Sequence, residues 1–100
     1  MPRPGPEMQK LVNTFSGTWA ITYRYEATET MRSGDVGQGE EVYRPGPGAL
    51  SLIEEFHSKE ATGEISGFGA AWWDEKAQGY RAVWCVSSNP GGCVVMAHLA

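Results

Sequence analysis

Glu54 is the residue with the strongest prospect of chemistry, because strand alternation places it among apolar side chains. The predicted strand 49–59 holds it, and Leu52 and Phe56 share its face. On a buried face its carboxyl pKa would be raised, so Glu54 would serve as a polar anchor or as a general base. The alternative is that the strand has left the core by this point and that Glu54 is solvated, as most glutamates are.

Aromatic side chains are the second feature with a chemical use. Ligand pockets have apolar walls and a few polar groups that fix orientation, so these rings could bind a small hydrophobic or aromatic molecule. Aromatic residues make up 11% of the chain, and the alternative is that they simply fill a small core. The residues predicted to bind the ligand are Tyr23, Tyr25, Glu54, Phe56, Phe68, Trp72, Tyr80 and Trp84.

The histidines and cysteines predict neither a catalytic residue nor a metal site. Glu55 and His57 share the outer face of their strand, where a surface pair is the simpler reading. Cys85 and Cys93 flank a turn, so a cross-strand disulfide is conceivable, but a reducing compartment favours free thiols. Two cysteines and His98 fall short of the about four ligands of a zinc site. We therefore expect no metal and no cofactor.

These residues are positioned by one short helix and a series of strands. Pro6–Phe15 is predicted to be helical because apolar residues recur at i, i+3, i+4 and i+7, and Gly17 follows as a cap. Beyond it, alternating segments separated by turn signals predict an all-β fold, an antiparallel up-and-down meander. The predicted strands are residues 18–26, 38–44, 49–59, 65–74, 80–86 and 93–99.

Length and charge bound the remaining possibilities. One hundred residues fit a single domain, 1–100, in which residues 1–6 form a flexible lead. The net charge of −4 and the scattered Lys and Arg residues argue against nucleic acid as a partner. No stretch approaches the about 18 apolar residues of a membrane span, and the N-terminus lacks the apolar segment of a secretory signal. The predicted location is the cytoplasm.

The triplet Gly17-Thr18-Trp19, between a short helix and an antiparallel meander, resembles the opening of the calycin superfamily of lipocalins and fatty-acid-binding proteins. Gly67, Trp73-Asp74, Tyr80 and Trp84 add a spacing that is similar to an uncharacterised bacterial lipocalin-like family of unknown function. The resemblance covers residues 7 to about 93. It implies a β-barrel whose closed end is covered by Trp19 beside the helix.

Two features depart from the family pattern. A calycin barrel closes with about eight strands, whereas about six are predicted here, so the barrel would be incomplete within one chain. Lipocalins also carry a late arginine that packs on the motif tryptophan, and no arginine follows Arg81. The last predicted strand has neither charge nor proline to deter pairing with another strand. We therefore expect a homodimer through the C-terminal strand region.

The resemblance and the inner aromatic residues together favour a lipocalin-like binding module for a small hydrophobic or aromatic molecule over an enzyme. One alternative is an isomerase or hydrolase in which a buried Glu54 transfers a proton. Another is a structural role, in which the open sheet edge serves assembly. A haem-binding calycin variant needs an inward histidine, and His57 points outward by parity.

Overall fold

Each strand of the protein pairs with the next one along the chain. A computed structural model describes residues 2–24, 36–60 and 63–97. All strand pairs are antiparallel, and the order in the sheet is the order in the sequence. The expected all-β meander with a short N-terminal helix is thereby confirmed. The elements are α1 (Pro6–Phe15), β1 (Gly17–Arg24), β2 (Val36–Pro45), a 3₁₀ turn (Pro47–Ala49), β3 (Leu52–Glu60), β4 (Gly63–Asp74), β5 (Gly79–Val86) and β6 (Cys93–Ala97).

The ends of α1 follow from local chemistry. Pro6 occupies the first turn, where its missing N–H costs nothing. At the other end, the Ser16 N–H donates to the Val12 carbonyl at 3.0 Å. Gly17 then has a φ of 139°, a region that favours glycine, and this turns the chain from the helix into β1.

The N-terminal half of the helix docks on β4 and β5. Met8 is buried, and its sulfur accepts a hydrogen bond from the Trp73 backbone N–H at 3.1 Å. The Tyr80 hydroxyl donates to the Glu7 carbonyl at 3.1 Å. We call the face of the sheet on which α1 packs the inner face.

The inner face is set by strict alternation in β3, β4 and β5. Leu52, Glu54 and Phe56 lie on it, and the register places Trp84 opposite Gly69 on the same face. A Cβ on Gly69 would lie 2.7 Å from the Trp84 ring. This glycine therefore lets a large ring lie against the strand backbone, a close approach that a side chain at this position would prevent.

The first three residues of the predicted strand 49–59 belong to a turn, and that boundary was wrong. Gly48 and Ala49 have φ values of 66° and 57°, and Gly46 N–H donates to the Ser51 carbonyl at 2.8 Å. The turn predicted from the prolines and glycines of 45–48 thus continues through residues 49–51, and β3 begins at Leu52. Leu50 consequently lies in the turn and is exposed instead of sharing the face of Leu52.

Cys85 and Cys93 form a disulfide, so the expectation of free thiols was wrong. The two residues are direct partners across the β5–β6 ladder, with their Cα atoms 4.1 Å apart. Antiparallel strands bring non-hydrogen-bonded partners to about this spacing, so backbone pairing alone presents the two sulfurs to each other.

The sheet remains open, with β1 at one edge and β6 at the other. Among the described residues, the buried apolar side chains are Met8, Leu52, Phe56 and Ala82. The radius of gyration is 15.7 Å, against about 13 Å for a compact domain of this length. Within the described ranges, no helix is long and apolar enough to cross a membrane.

Candidate functional site

Four of the predicted binding residues lie on the inner face. Glu54 and Phe56 stand on β3, and Tyr80 and Trp84 stand on β5. Phe56 and Trp84 pack with ring centroids 5.9 Å apart. Of Tyr23 only the backbone is described, in register with Gly37. Tyr25 lies outside the described residues.

The inward placement of Phe68 and Trp72 was wrong. Phe68 pairs with Cys85 and is 58% exposed, and Trp72 pairs with Arg81. Both stand on the outer face, because side chains alternate strictly along β4. The inner positions on either side of Phe68 are Gly67 and Gly69, which have no side chain.

A cavity of about 270 Å³ lies on the inner face between β2 and β6. Trp84 forms one wall, while Leu52 and Ala82 form the floor. Its polar side is made by Tyr43 and Glu54. The full lining is Tyr43, Leu52, Glu54, Gly69, Ala70, Ala71, Ala82, Val83, Trp84 and Met96.

Three side chains meet at the polar side of this cavity: Glu41, Tyr43 and Glu54. The Tyr43 Oη lies 2.8 Å from Glu41 Oε2 and 2.9 Å from Glu54 Oε2. The arrangement follows from the strands, since Tyr43 is opposite Glu54 in the register and Glu41 is two residues away on the same face. We call these three residues the carboxyl–phenol cluster.

Two groups of the cluster have raised pKa values. Burial, and then hydrogen bonds to Glu41 and Glu54, raise the pKa of Tyr43, so its phenol keeps its proton. That single proton serves only one of the two carboxyl groups. Burial also raises the pKa of Glu54, with Glu41 reinforcing the shift and the Tyr43 hydrogen bond opposing it. Glu54 therefore holds a proton more readily than an exposed glutamate does.

Sequence reasoning missed Glu41 and Tyr43. Both residues lie on the predicted strand 38–44, and their shared parity already places them on one face of it. What the sequence lacked was the register between β2 and β3, which puts Tyr43 beside Glu54.

A second apolar depression, of about 250 Å³, lies on the other side of Tyr43. Trp19 lines it together with Phe15, and the Trp19 Nε1–H donates to the Phe15 carbonyl at 2.9 Å. Trp19 thus lies beside the helix as the calycin resemblance implies, but it is 47% exposed and closes no barrel end. Tyr43 also packs on Phe15, with ring centroids 6.0 Å apart.

A wider depression, of about 670 Å³, is lined mainly by polar residues, among them His57, Lys59 and Glu64. Within the described part of the chain, Ile65 is the one large apolar residue in its lining, whereas binding cavities for small molecules are lined predominantly by hydrophobic and aromatic side chains. Glu55 pairs with Arg44 at 3.0 Å, and both side chains are half exposed, so this pair adds little stability. In the described ranges, no group of three or more His, Cys, Asp or Glu residues could hold a metal ion.

The chain matches no protein-family model, no curated protein and no solved structure. The fold defines a class, an open antiparallel meander with a helix across its inner face. Membership of the calycin superfamily stays a prediction, and function has to be argued from the site.

Proposed function

We propose that the protein is a lipocalin-like binding module whose inner face takes up one small hydrophobic or aromatic molecule. The observation that carries the proposal is the apolar cavity between Leu52 and Trp84, which has the carboxyl–phenol cluster at its polar side. Its volume of about 270 Å³ is close to the lower limit of about 300 Å³ for ligand cavities. A molecule of one or two rings fits this space.

The carboxyl–phenol cluster would fix the orientation of such a ligand. A protonated Glu54 both donates and accepts hydrogen bonds, so it would pair with a single hydroxyl or carbonyl group on an otherwise apolar molecule. A ligand without any polar group would leave these partly buried oxygens with no new partner, which lowers its affinity. We therefore favour ligands that carry one polar group at the end of an aromatic or alicyclic body.

Titration with 1-naphthol, a neutral fluorescent molecule of two rings and one hydroxyl group, tests this proposal, with Trp84→Ala as the variant. We expect the Kd to rise about tenfold, which corresponds to about 1.4 kcal/mol, because the variant loses one wall of the cavity. The matched control is Trp72→Ala, which removes the same ring from the outer face of β4. Circular dichroism verifies that both variants are folded. Equal effects of the two substitutions, or no probe binding by the unmodified chain, would refute the proposal.

Proton transfer is the second candidate function, and the raised pKa of Glu54 beside an apolar cavity favours it. Nitrobenzisoxazole is a suitable probe, since a carboxylate removes its carbon-bound proton while the N–O bond breaks to give a coloured cyanonitrophenolate. We expect the rate to rise with pH as Glu54 ionises, and to be lost in Glu54→Gln. The outer-face variant Glu55→Gln is the control. A rate no higher than that of free carboxylate in buffer would exclude this function.

The cytoplasmic location expected from the sequence stays a prediction, and one observation weighs against it. Disulfides persist mainly in oxidising compartments, and Cys85 is bonded to Cys93. Thiol trapping of the protein directly after cell lysis distinguishes the cytoplasm from an oxidising compartment. A cytoplasmic chain would be alkylated at both sulfurs, whereas a disulfide-bonded chain would not react.

A further inference from the structure

The two edge strands of the sheet expose apolar side chains on the inner face. At the β1 edge, Trp19 is 47% exposed, with Ile21 following on the same face. At the β6 edge, Val94 and Met96 are 46% and 38% exposed. Residues 93–97 contain no charged residue and no proline, the features by which natural proteins normally protect an edge strand.

The burial of the described side chains matches this open arrangement. Among the described residues only four apolar side chains are buried, whereas Trp19, Val94 and Met96 are exposed at the edges of the inner face. An interface that brings the two edges together would therefore bury apolar side chains that a single chain leaves in water.

Strand direction specifies how a second copy fits. Neighbouring strands alternate in direction, and the sheet has an even number of strands, so β1 and β6 run in opposite directions. The β6 edge of one copy therefore continues in antiparallel pairing onto the β1 edge of another. A twofold rotation repeats the same pairing at the other two edges, so that no edge remains free.

We propose that two copies of this chain assemble edge to edge, β6 of each on β1 of the other, and enclose one apolar interior between their inner faces. The partner subunit's Trp19 would then lie beside Val94 and Met96 and supply the wall that the open cavity lacks. This inference rests on the edge strands and on the apolar side chains that they expose, and it holds whether or not the cavity binds a ligand.

Light scattering of the unmodified chain, at about 1 to 100 µM, measures the assembly directly. We expect a mass of twice 10.9 kDa. Val95→Lys and Ala20→Lys each place a charge on one edge strand, at an exposed outer position, and each should raise the dimer dissociation constant at least about tenfold. Phe68→Lys is the matched control, an exposed outer position on the interior strand β4, and it should leave the dimer intact.

The two edge variants also test the mode of pairing. Pairing of β6 with β6 would make the dimer sensitive to Val95→Lys alone, and this result would overturn the proposal. A folded monomer for the unmodified chain throughout the concentration range would overturn it as well. The light-scattering result is independent of probe binding, so the proposed function and the proposed assembly can fail separately.

Discussion

The phenol of Tyr43 has one proton to donate and two carboxyl oxygens within reach, at 2.8 and 2.9 Å. Two ionised carboxylates around one hydroxyl would leave one of them facing an oxygen lone pair. Protonation of Glu54 removes that repulsion and satisfies all three groups. The cluster therefore has a titratable state that matters both for the stability of β2 and β3 and for what the cavity binds.

The stability of the protein should fall as Glu54 ionises. Its pKa in the folded chain is raised above the ordinary value of 4.5, mainly by burial. The folded state thus binds this proton more tightly than the unfolded state, and the resulting stability is fully present below the unfolded pKa and lost as pH rises through the folded pKa. Glu54→Gln keeps a neutral side chain at every pH. We expect the variant to gain stability relative to the unmodified chain as pH rises from about 4 to about 8.

Urea denaturation at intervals across this range measures the difference in the free energy of unfolding. Glu55→Gln is the control, because Glu55 is the neighbouring glutamate on the outer face of the same strand and its side chain is half exposed in an ion pair with Arg44. A difference between Glu54→Gln and the unmodified chain that stays constant with pH would mean that the Glu54 carboxyl does not change its protonation on folding.

At the scale of the elements, the β5–β6 hairpin is held by more than its ladder. The bond between Cys85 and Cys93 closes a short loop beside the edge strand that contributes Met96 to the cavity. We expect Cys93→Ser to lower the free energy of unfolding by about 2.5 kcal/mol, since it frees the unfolded chain from this loop. Hydrogen exchange should show the largest increase at the amides of β6, which among the described strands pairs with β5 alone.

Reductant provides the control for the hairpin prediction. The unmodified chain in dithiothreitol should unfold at the same urea concentration as Cys93→Ser, whereas reductant should leave the variant unchanged. Equal stability of the unmodified chain with and without reductant would contradict a stabilising bond.

How far the sequence could predict the site depended on whether the information was local. Strand period is local, and so alternation correctly placed Glu54, Phe56 and Trp84 on one face. In β4 the prediction used aromatic content instead of parity, and Phe68 was therefore misplaced on the inner face. The pairing of Tyr43 with Glu54 depends on the register between two strands, and no local pattern specifies it.

At the scale of the whole molecule, the small core points to a coupling between folding and assembly. Among the described residues, four apolar side chains are buried, and no large side chain is fully buried. A single chain of this kind has little hydrophobic stabilisation with which to offset the entropy of folding. The interface proposed above would bury Trp19, Val94 and Met96 as well, so a large part of the stability would come from the second copy.

The melting temperature of the protein should therefore depend on its concentration. If unfolding and dissociation occur together, a tenfold increase in chain concentration favours the folded dimer by about 1.4 kcal/mol. For an assembly of two such chains this raises the Tm by about 3–5 °C. Calorimetry at two concentrations measures the shift, and Phe68→Lys should show the same shift because the edges are untouched. Val95→Lys should melt at a lower temperature with little dependence on concentration. A Tm of the unmodified chain that does not change with concentration would mean that one chain is stable alone, with its inner face open to water.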